Sequence, residues 1–313
     1  MKIVLLESLA VSDEALQGYV RTLEKEGHSF VSYERNTDPA LLIGRAKDAD
    51  VIMLANMSLS GEVIDACENL KFIDVAFTGV DHIDLKRAQA RGIAVSNASG
   101  YSNESVAELV IGVTLSLLRN VRQAEARCRE GKTKDGLVGC ELMGKKIGVI
   151  GTGAIGTRVA ELFRCFGCEI IAYSRTRKEI PHVTYLPLDE VLKHADIVTL
   201  HCPLTEETRG LISAQKLAMM KKGAYLINAA RGPVVDSQAL ADALNEGRLA
   251  GAGVDVFETE PPLAGDHPLL HAKNCLVTPH IAFASKESMA LRAEIVFRNL
   301  HEWMNGNQIN KIL

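Results

Sequence analysis

Short apolar runs rich in β-branched residues alternate with helix-length segments from one end of the chain to the other. The runs occupy residues 3–6, 30–33, 51–54, 72–76 and 93–96. After a longer interval they resume at 147–150, 170–173, 197–201, 225–228, 253–256 and 276–278. Their hydrophobicity is continuous rather than alternating, which suits parallel strands covered on both faces. Strand–helix alternation of this kind predicts an α/β fold, here with two doubly wound parallel sheets. Between the two series lies a turn-rich cluster, Asn97-Ala-Ser-Gly-Tyr-Ser102. One long helix is predicted after it, over 102–130, with Val106, Leu109, Val110, Val113, Leu117 and Leu118 as its core face. A last helix is predicted over 285–305, with Met289, Ile295, Val296, Leu300 and Trp303 buried, and it is expected to cross back to the first sheet. No internal repeat or low-complexity tract interrupts the pattern.

Composition changes this picture little. The 313 residues are 47% hydrophobic and 24% charged, which excludes disordered and collagen-like classes. At roughly 100–200 residues per domain, the length predicts two domains, each able to bury a core. A net charge of -4 offers no basic surplus for nucleic acid or an anionic membrane. The apolar stretch 109–118 contains Gly112, Thr114 and Ser116 and is too short to span a bilayer. The opening residues pass from one lysine into a short apolar run and an acid, a first strand rather than a signal peptide, so a cytoplasmic protein is expected. Seven dispersed cysteines then read as reduced thiols. The lone pair Cys165-Phe-Gly-Cys168 lacks a second ligand pair, so packing is its expected role and no metal is expected.

Chemistry enters at Gly151-Thr-Gly-Ala-Ile-Gly156, which follows an apolar strand and opens a helix-like segment. That context is what a dinucleotide fingerprint requires. Gly151 permits the tight turn, Gly153 the close approach of a pyrophosphate, and Gly156 the packing of helix on strand. The helix N-terminus then offers unbonded amides to the phosphates. An NAD site usually places an acid about 20 residues on, at the end of the second strand, against the ribose 2′-hydroxyl. Here that end reads Ser174-Arg175-Thr176-Arg177. Its two guanidinium groups and two hydroxyls could bind a 2′-phosphate, so NADP(H) is favoured, with NAD(H) still possible if the arginines are merely solvated.

Three later strand ends each deliver an ionisable residue: Arg231, Glu260 and His280. Ligands of an open parallel sheet bind outside the carboxyl ends of its strands. These types suit reversible hydride transfer to a 2-keto acid. A histidinium protonates the carbonyl oxygen as it gains charge, a carboxylate holds the imidazole, and an arginine binds the substrate's carboxylate and keto oxygen.

At these positions the sequence resembles the D-isomer-specific 2-hydroxyacid dehydrogenases. The resemblance rests on Gly151–Gly156, His201-Cys-Pro-Leu-Thr-Glu-Glu-Thr208, Asn228-Ala-Ala-Arg-Gly-Pro233, Gly251-Ala-Gly-Val-Asp-Val-Phe257 with Glu260-Pro, and Thr278-Pro-His280. It implies Arg231, Glu260 and His280 as the catalytic trio. It further implies cofactor contacts from Ile155, Gly156, Cys202, Pro203, Thr208, Ala229, Asp255 and Asn103. A substrate carboxylate is expected on Phe77-Thr78-Gly79-Val80, together with Arg231 and His280. The implied architecture is a Rossmann cofactor domain, 100–285, inserted in a flavodoxin-like substrate domain, 1–99 plus 286–313. The long helix is expected to contribute to a homodimer. Pointers to the substrate diverge. Ser174-Arg-Thr-Arg-Lys178 is similar to glyoxylate and hydroxypyruvate reductases, His280-Ile-Ala-Phe-Ala to D-lactate dehydrogenases. Glu260 stands where formate dehydrogenases carry Gln, which disfavours that reading, whereas phosphoglycerate and phosphite dehydrogenases of the family stay open. A different class, a dinucleotide-sensing corepressor of the same fold, also keeps the trio. The loops around Leu54-Ala-Asn-Met57 and Phe283 are expected to line the substrate pocket, where Met57 and Phe283 suit an apolar side chain or belong to the core.

Overall fold

Nine elements open the chain: β1 (Lys2–Leu5), α1 (Asp13–Lys25), β2 (Ser29–Ser32), α2 (Pro39–Ala46), β3 (Val51–Leu54), α3 (Gly61–Ala66), β4 (Phe72–Val75), α4 (Leu85–Ala90) and β5 (Ala94–Asn97). The structure, a computed structural model, describes residues 1–313. It divides into two units, Met1–Ser102 with Ala284–Leu313, and Asn103–Phe283. In the first unit the strands form one parallel sheet in the order β2-β1-β3-β4-β5. Every residue of β3 and β4 is buried, which is why their sequences carry no alternation. All strands run the same way, so the loops after β1, β3, β4 and β5 share one edge of the sheet. The order reverses between β1 and β3, a topological switch point.

The second unit comprises α5 (Asn103–Leu118), α6 (Val121–Arg129), β6 (Lys146–Ile150), α7 (Ala154–Cys165), β7 (Glu169–Tyr173), β8 (Val183–Tyr185), α8 (Leu188–His194), β9 (Ile197–Leu200), α9 (Ala214–Met219), β10 (Tyr225–Asn228), α10 (Ser237–Asn245), β11 (Gly251–Val254), α11 (Pro268–His271) and β12 (Cys275–Val277). Its parallel sheet has the order β12-β11-β10-β9-β6-β7-β8, with the reversal between β6 and β9. Both sheets are therefore doubly wound, as the strand–helix alternation predicts.

Three expectations need correction here. The single helix over 102–130 is two helices, because Asn120 adopts a left-handed backbone (φ 52°) that an asparagine tolerates and a helix does not. The strand expected at 253–256 is β11, two residues earlier, which frees Asp255 from the ladder. Strand β8 has no counterpart in the apolar pattern, since it is a three-residue edge strand with no buried residue to create an apolar run. Gly253 lies under α5, where a Cβ would collide with the Val113 side chain, so its lack of a side chain lets that helix seat on the sheet. Of the cysteine pair, Cys165 is exposed while Cys168 is buried and donates its thiol to the Leu142 carbonyl (3.3 Å).

The last helix, α12 (Lys286–Met304), starts at a reciprocal capping box between Ser285 and Ser288 and belongs to the first unit. Trp303 stacks on Phe72 with ring centroids 4.6 Å apart, and Phe297 stacks on Tyr19 at 4.2 Å. Asn299 ties the same face down with polar bonds. Its amide donates to Asp74 Oδ1 on β4 and to the Asn97 carbonyl on β5, both at 3.0 Å, while Asn310 donates back to its oxygen at 2.8 Å. Asp74 is fully buried and its Oδ2 has no hydrogen-bond partner. Burial pushes this carboxyl well above the usual range, against the smaller opposite pull of the Asn299 bond. A raised acid stabilises the fold at low pH and loses that contribution as pH climbs through its native value. Stability is therefore expected to decline towards alkaline pH, and Asp74→Asn, which cannot ionise, to flatten the decline. Thermal melts of both proteins from about pH 4, the ordinary carboxylate value at which the decline begins, to pH 9 check this, and parallel curves would remove Asp74 as the cause.

Candidate active site

The reversal between β6 and β9 holds the glycine fingerprint. Gly151, after β6, has φ +95°, and a Cβ there would press on the His201 and Cys202 backbone at 2.8–2.9 Å. At Gly156 a Cβ would collide with the Gly151 carbonyl, so helix α7 can reach the strand only through a glycine. Gly153, the N-cap of α7, has no atom within 4 Å of where its Cβ would be. No side chain caps α7, and its first helical bond is Thr157 N–H to Gly153 O (2.9 Å), which leaves the leading amides unbonded. A cavity of about 360 Å³ opens there. The open face at Gly153, the amides and the cationic rim fit the phosphates of a dinucleotide.

Of the residues expected to bind that group, Gly151, Gly153, Ser174, Arg175, Thr176, Cys202, Pro203 and Thr208 line the cavity. Ile155 and Ala229 instead pack on the hydrophobic core, Gly156 is buried under the turn, and Asn103 is the first residue of α5. Arg177 also turns away, its guanidinium 5.9 Å from the Tyr185 ring. Lys178 lines the cavity in its place, so the basic pair is Arg175 and Lys178. The Tyr185 hydroxyl donates to Thr152 in the turn (2.9 Å). Glu207, not among the expected residues although it sits in the motif ending at Thr208, pairs with Arg175 at 3.4 Å with both side chains exposed. Burial pushes the Cys202 thiol up to about 11 and the His201 imidazole down to about 3, so neither brings a charge at neutral pH.

Strands β10, β11 and β12 are neighbours, and their ends carry the three ionisable residues. Arg231 follows β10 in a turn whose carbonyl accepts from the Asn228 side chain (3.0 Å), and Gly232 packs directly on the Phe257 backbone. The His280 Nδ1–H donates to both oxygens of Glu260, at 2.8 and 2.9 Å, and the imidazole side chain is only 10% exposed. Phe283 stands edge-on to that ring with centroids 5.3 Å apart. His280 itself has a left-handed backbone (φ 54°), and its amide donates to the Asp255 carbonyl (2.8 Å). The Asp255 carboxylate accepts from Thr278 Oγ1 (2.5 Å), Ile281 N (2.9 Å) and Ala282 N (2.8 Å). Asp255, expected as a cofactor contact, braces the turn that carries His280. Burial raises its carboxyl while the three donors and His280 pull the other way. A second pair, Glu258 with His267 (3.1 Å), closes the loop that carries Glu260.

In the first unit, Thr78, Gly79 and Val80 follow β4. The loop is pinned by the Asn97 side chain on the Thr78 carbonyl (2.7 Å) and by the Ile83 amide on the Val80 carbonyl (3.1 Å). The amides of Thr78, Gly79 and Val80 donate to no atom of the protein, an arrangement that suits an anion. Met57 is fully buried and belongs to the core, whereas Phe283 stays half-buried beside His280.

Residues 111–282 match the family model described as D-isomer specific 2-hydroxyacid dehydrogenase, NAD binding domain. The chain is 36% identical over 324 residues to a hydroxypyruvate reductase of Blautia hydrogenotrophica, covering 100% of this chain and 99% of that one. It is 42% identical over 272 residues to a glyoxylate reductase of Thermofilum pendens, covering 84% and 80%. Among solved structures, the TT0316 protein of Thermus thermophilus superposes with a TM-score of 0.91 at 35% identity, covering 100% of both chains.

Proposed function

The chain belongs to the D-isomer specific 2-hydroxyacid dehydrogenases, a family of oxidoreductases, and from that premise we propose that it reduces a small 2-keto acid to the D-2-hydroxy acid. The substrate class is glyoxylate, hydroxypyruvate or pyruvate, and the cofactor is NADP(H) in preference to NAD(H). The bidentate hold of Glu260 on His280 Nδ1 carries this reading. It keeps a proton on Nδ1 and leaves Nε2 as the ring atom that exchanges a proton with the substrate oxygen. Glu260 also fixes the orientation of the ring, and the imidazolium must form before the proton is given up. Arg231 is assigned the keto oxygen and carboxylate, where a planar guanidinium offers paired donors. Thr78, Gly79 and Val80 are assigned the carboxylate through their three unbonded amides. The bound reduced nicotinamide supplies the hydride. We read the protein as a cytoplasmic homodimer. Val121, Val138 and Met143 in the second unit are large apolar side chains left exposed, as an interface between copies requires.

Initial rates with NADPH and NADH test the reading, across glyoxylate, hydroxypyruvate, pyruvate, a branched 2-keto acid and phenylpyruvate. Turnover on one of the small acids, faster with NADPH, is expected. Inactivity on every acid overturns it, and equal rates with NADH overturn the cofactor preference alone. Arg175→Ala is expected to raise the KM for NADPH about tenfold, the low end for a charged hydrogen bond at an exposed site, with the KM for NADH nearly unchanged. Equal changes for both cofactors would mean that Arg175 does not meet a 2′-phosphate.

A further inference from the structure

One backbone hydrogen bond tethers the loop that rims the dinucleotide cavity. The loop leaves β7 at Tyr173, whose carbonyl accepts the Gly151 amide (2.7 Å), and ends at Ile180, whose carbonyl accepts the Val183 amide (3.2 Å). Between them, over 174–179, the only backbone group bonded within the protein is the Lys178 N–H. Its acceptor is the Tyr185 hydroxyl (3.3 Å). The Arg175–Glu207 pair adds little, exposed as both side chains are.

Tyr185 ends the edge strand β8, opposite Ala172 of β7, and its hydroxyl sits between this loop and the glycine turn. A phenol has one proton to give. With Lys178 donating to its oxygen, that proton goes to Thr152 Oγ1 (2.9 Å). Thr152 stands between Gly151 and Gly153 and is 1% exposed. Its carbonyl accepts the Thr157 hydroxyl of α7 (3.3 Å), which ties the turn to the helix. A single hydroxyl therefore joins loop, turn and helix. Tyr185 itself does not line the cavity, whereas Thr152, Ser174, Arg175, Thr176 and Lys178 do.

This junction bears on one part of a dinucleotide more than another. The turn and the leading amides of α7 serve the pyrophosphate, which both cofactors carry. The loop serves the ribose 2′-position, where only NADP(H) has a phosphate. A loop held in place beforehand loses less conformational freedom when it takes up that phosphate. We propose that Tyr185 is a positioning residue for the cofactor: its hydroxyl fixes the 174–178 loop against the glycine turn and so favours the dinucleotide that bears a 2′-phosphate. This role rests on the NADP(H) reading above and is independent of which 2-keto acid is reduced.

Fluorescence titrations of the full-length protein with NADPH and NADH provide the test, since binding needs no substrate. Tyr185→Phe keeps the ring and removes only the hydroxyl. Its Kd for NADPH is expected to rise about fivefold, the worth of one neutral hydrogen bond, with the Kd for NADH nearly unchanged. Thr152→Val breaks the same bond from the other side. It is expected to weaken NADPH binding and to add nothing further when combined with Tyr185→Phe. Thermal melts accompany each variant, since a merely structural role lowers stability and weakens both dinucleotides alike. Equal losses for the two cofactors, or additive losses in the double variant, overturn the proposal. A wild type that prefers NADPH, with Tyr185→Phe unaffected, overturns this role and leaves the preference standing. A wild type that binds NADH as tightly as NADPH removes the preference itself, and this role with it.

Discussion

Replacing His280 with alanine is expected to lower kcat about a thousandfold while leaving dinucleotide affinity unchanged. A positioned general acid or base is worth roughly a hundred- to ten-thousandfold, and no other residue of the second unit combines a fixed imidazole with a bidentate carboxylate partner. The cofactor arm of the prediction follows from the structure, because His280 does not line the cavity beside the glycine turn. Steady-state rates and a fluorescence titration with NAD(P)H separate the two effects. Near-normal turnover would reject His280 as the acid. Lost dinucleotide affinity would instead show that the 278–282 turn supports the binding cavity.

Asp255→Ala is expected to produce the second largest effect, and by a different route. Asp255 is 4% exposed and its carboxylate receives a hydroxyl and two backbone amides. Removing it leaves the buried Ala282 amide without an acceptor, at about 1–3 kcal/mol, and frees two part-buried donors that water can reach, so a loss of about 2 kcal/mol of stability is expected. The same bonds hold a turn in which His280 sits at φ 54°, a conformation costly for a side chain with a Cβ and kept only where the surroundings impose it. With the brace gone, His280 is expected to leave its place against Glu260, and kcat to fall about a hundredfold. Asp255→Asn, which keeps one acceptor oxygen, should lie between. Thermal melts and kcat measured on the same preparations check this. A stability loss with kcat intact would mean that the turn keeps its shape without the carboxylate.

Particular residues show how far the sequence can be read. The fingerprint is legible because glycine spacing, a preceding apolar run and a following helix are all local. Each glycine then has its separate steric reason at the β6–β9 reversal. Glu260 and His280, 20 residues apart, are legible as a pair only through their shared placement at strand ends, and the structure brings them into contact. Asn120 misleads because the residues after it, 121–129, are good helix formers with no proline or glycine to mark a break, while its own backbone turns left-handed. Arg177 lies 5.9 Å from the Tyr185 ring on the neighbouring strand, a neighbour that its place at a strand end does not reveal.

By itself, the sequence determined that the chain forms two doubly wound parallel sheets, that a dinucleotide turn opens the second, and that an arginine, a glutamate and a histidine close its strands. Those features are written in periodicity and short spacings, which depend only on local backbone geometry. The tertiary structure alone decided that Asp255 turns inward as a brace, that Lys178 lines the cavity beside Arg175, and that Glu7 and Arg35, 28 residues apart, hold the loop that carries Asn56. Such choices turn on which donors and acceptors meet across separate strands once both faces of a sheet are covered. A buried polar group must find its partner wherever the fold delivers one, and no pattern along the chain records where that will be.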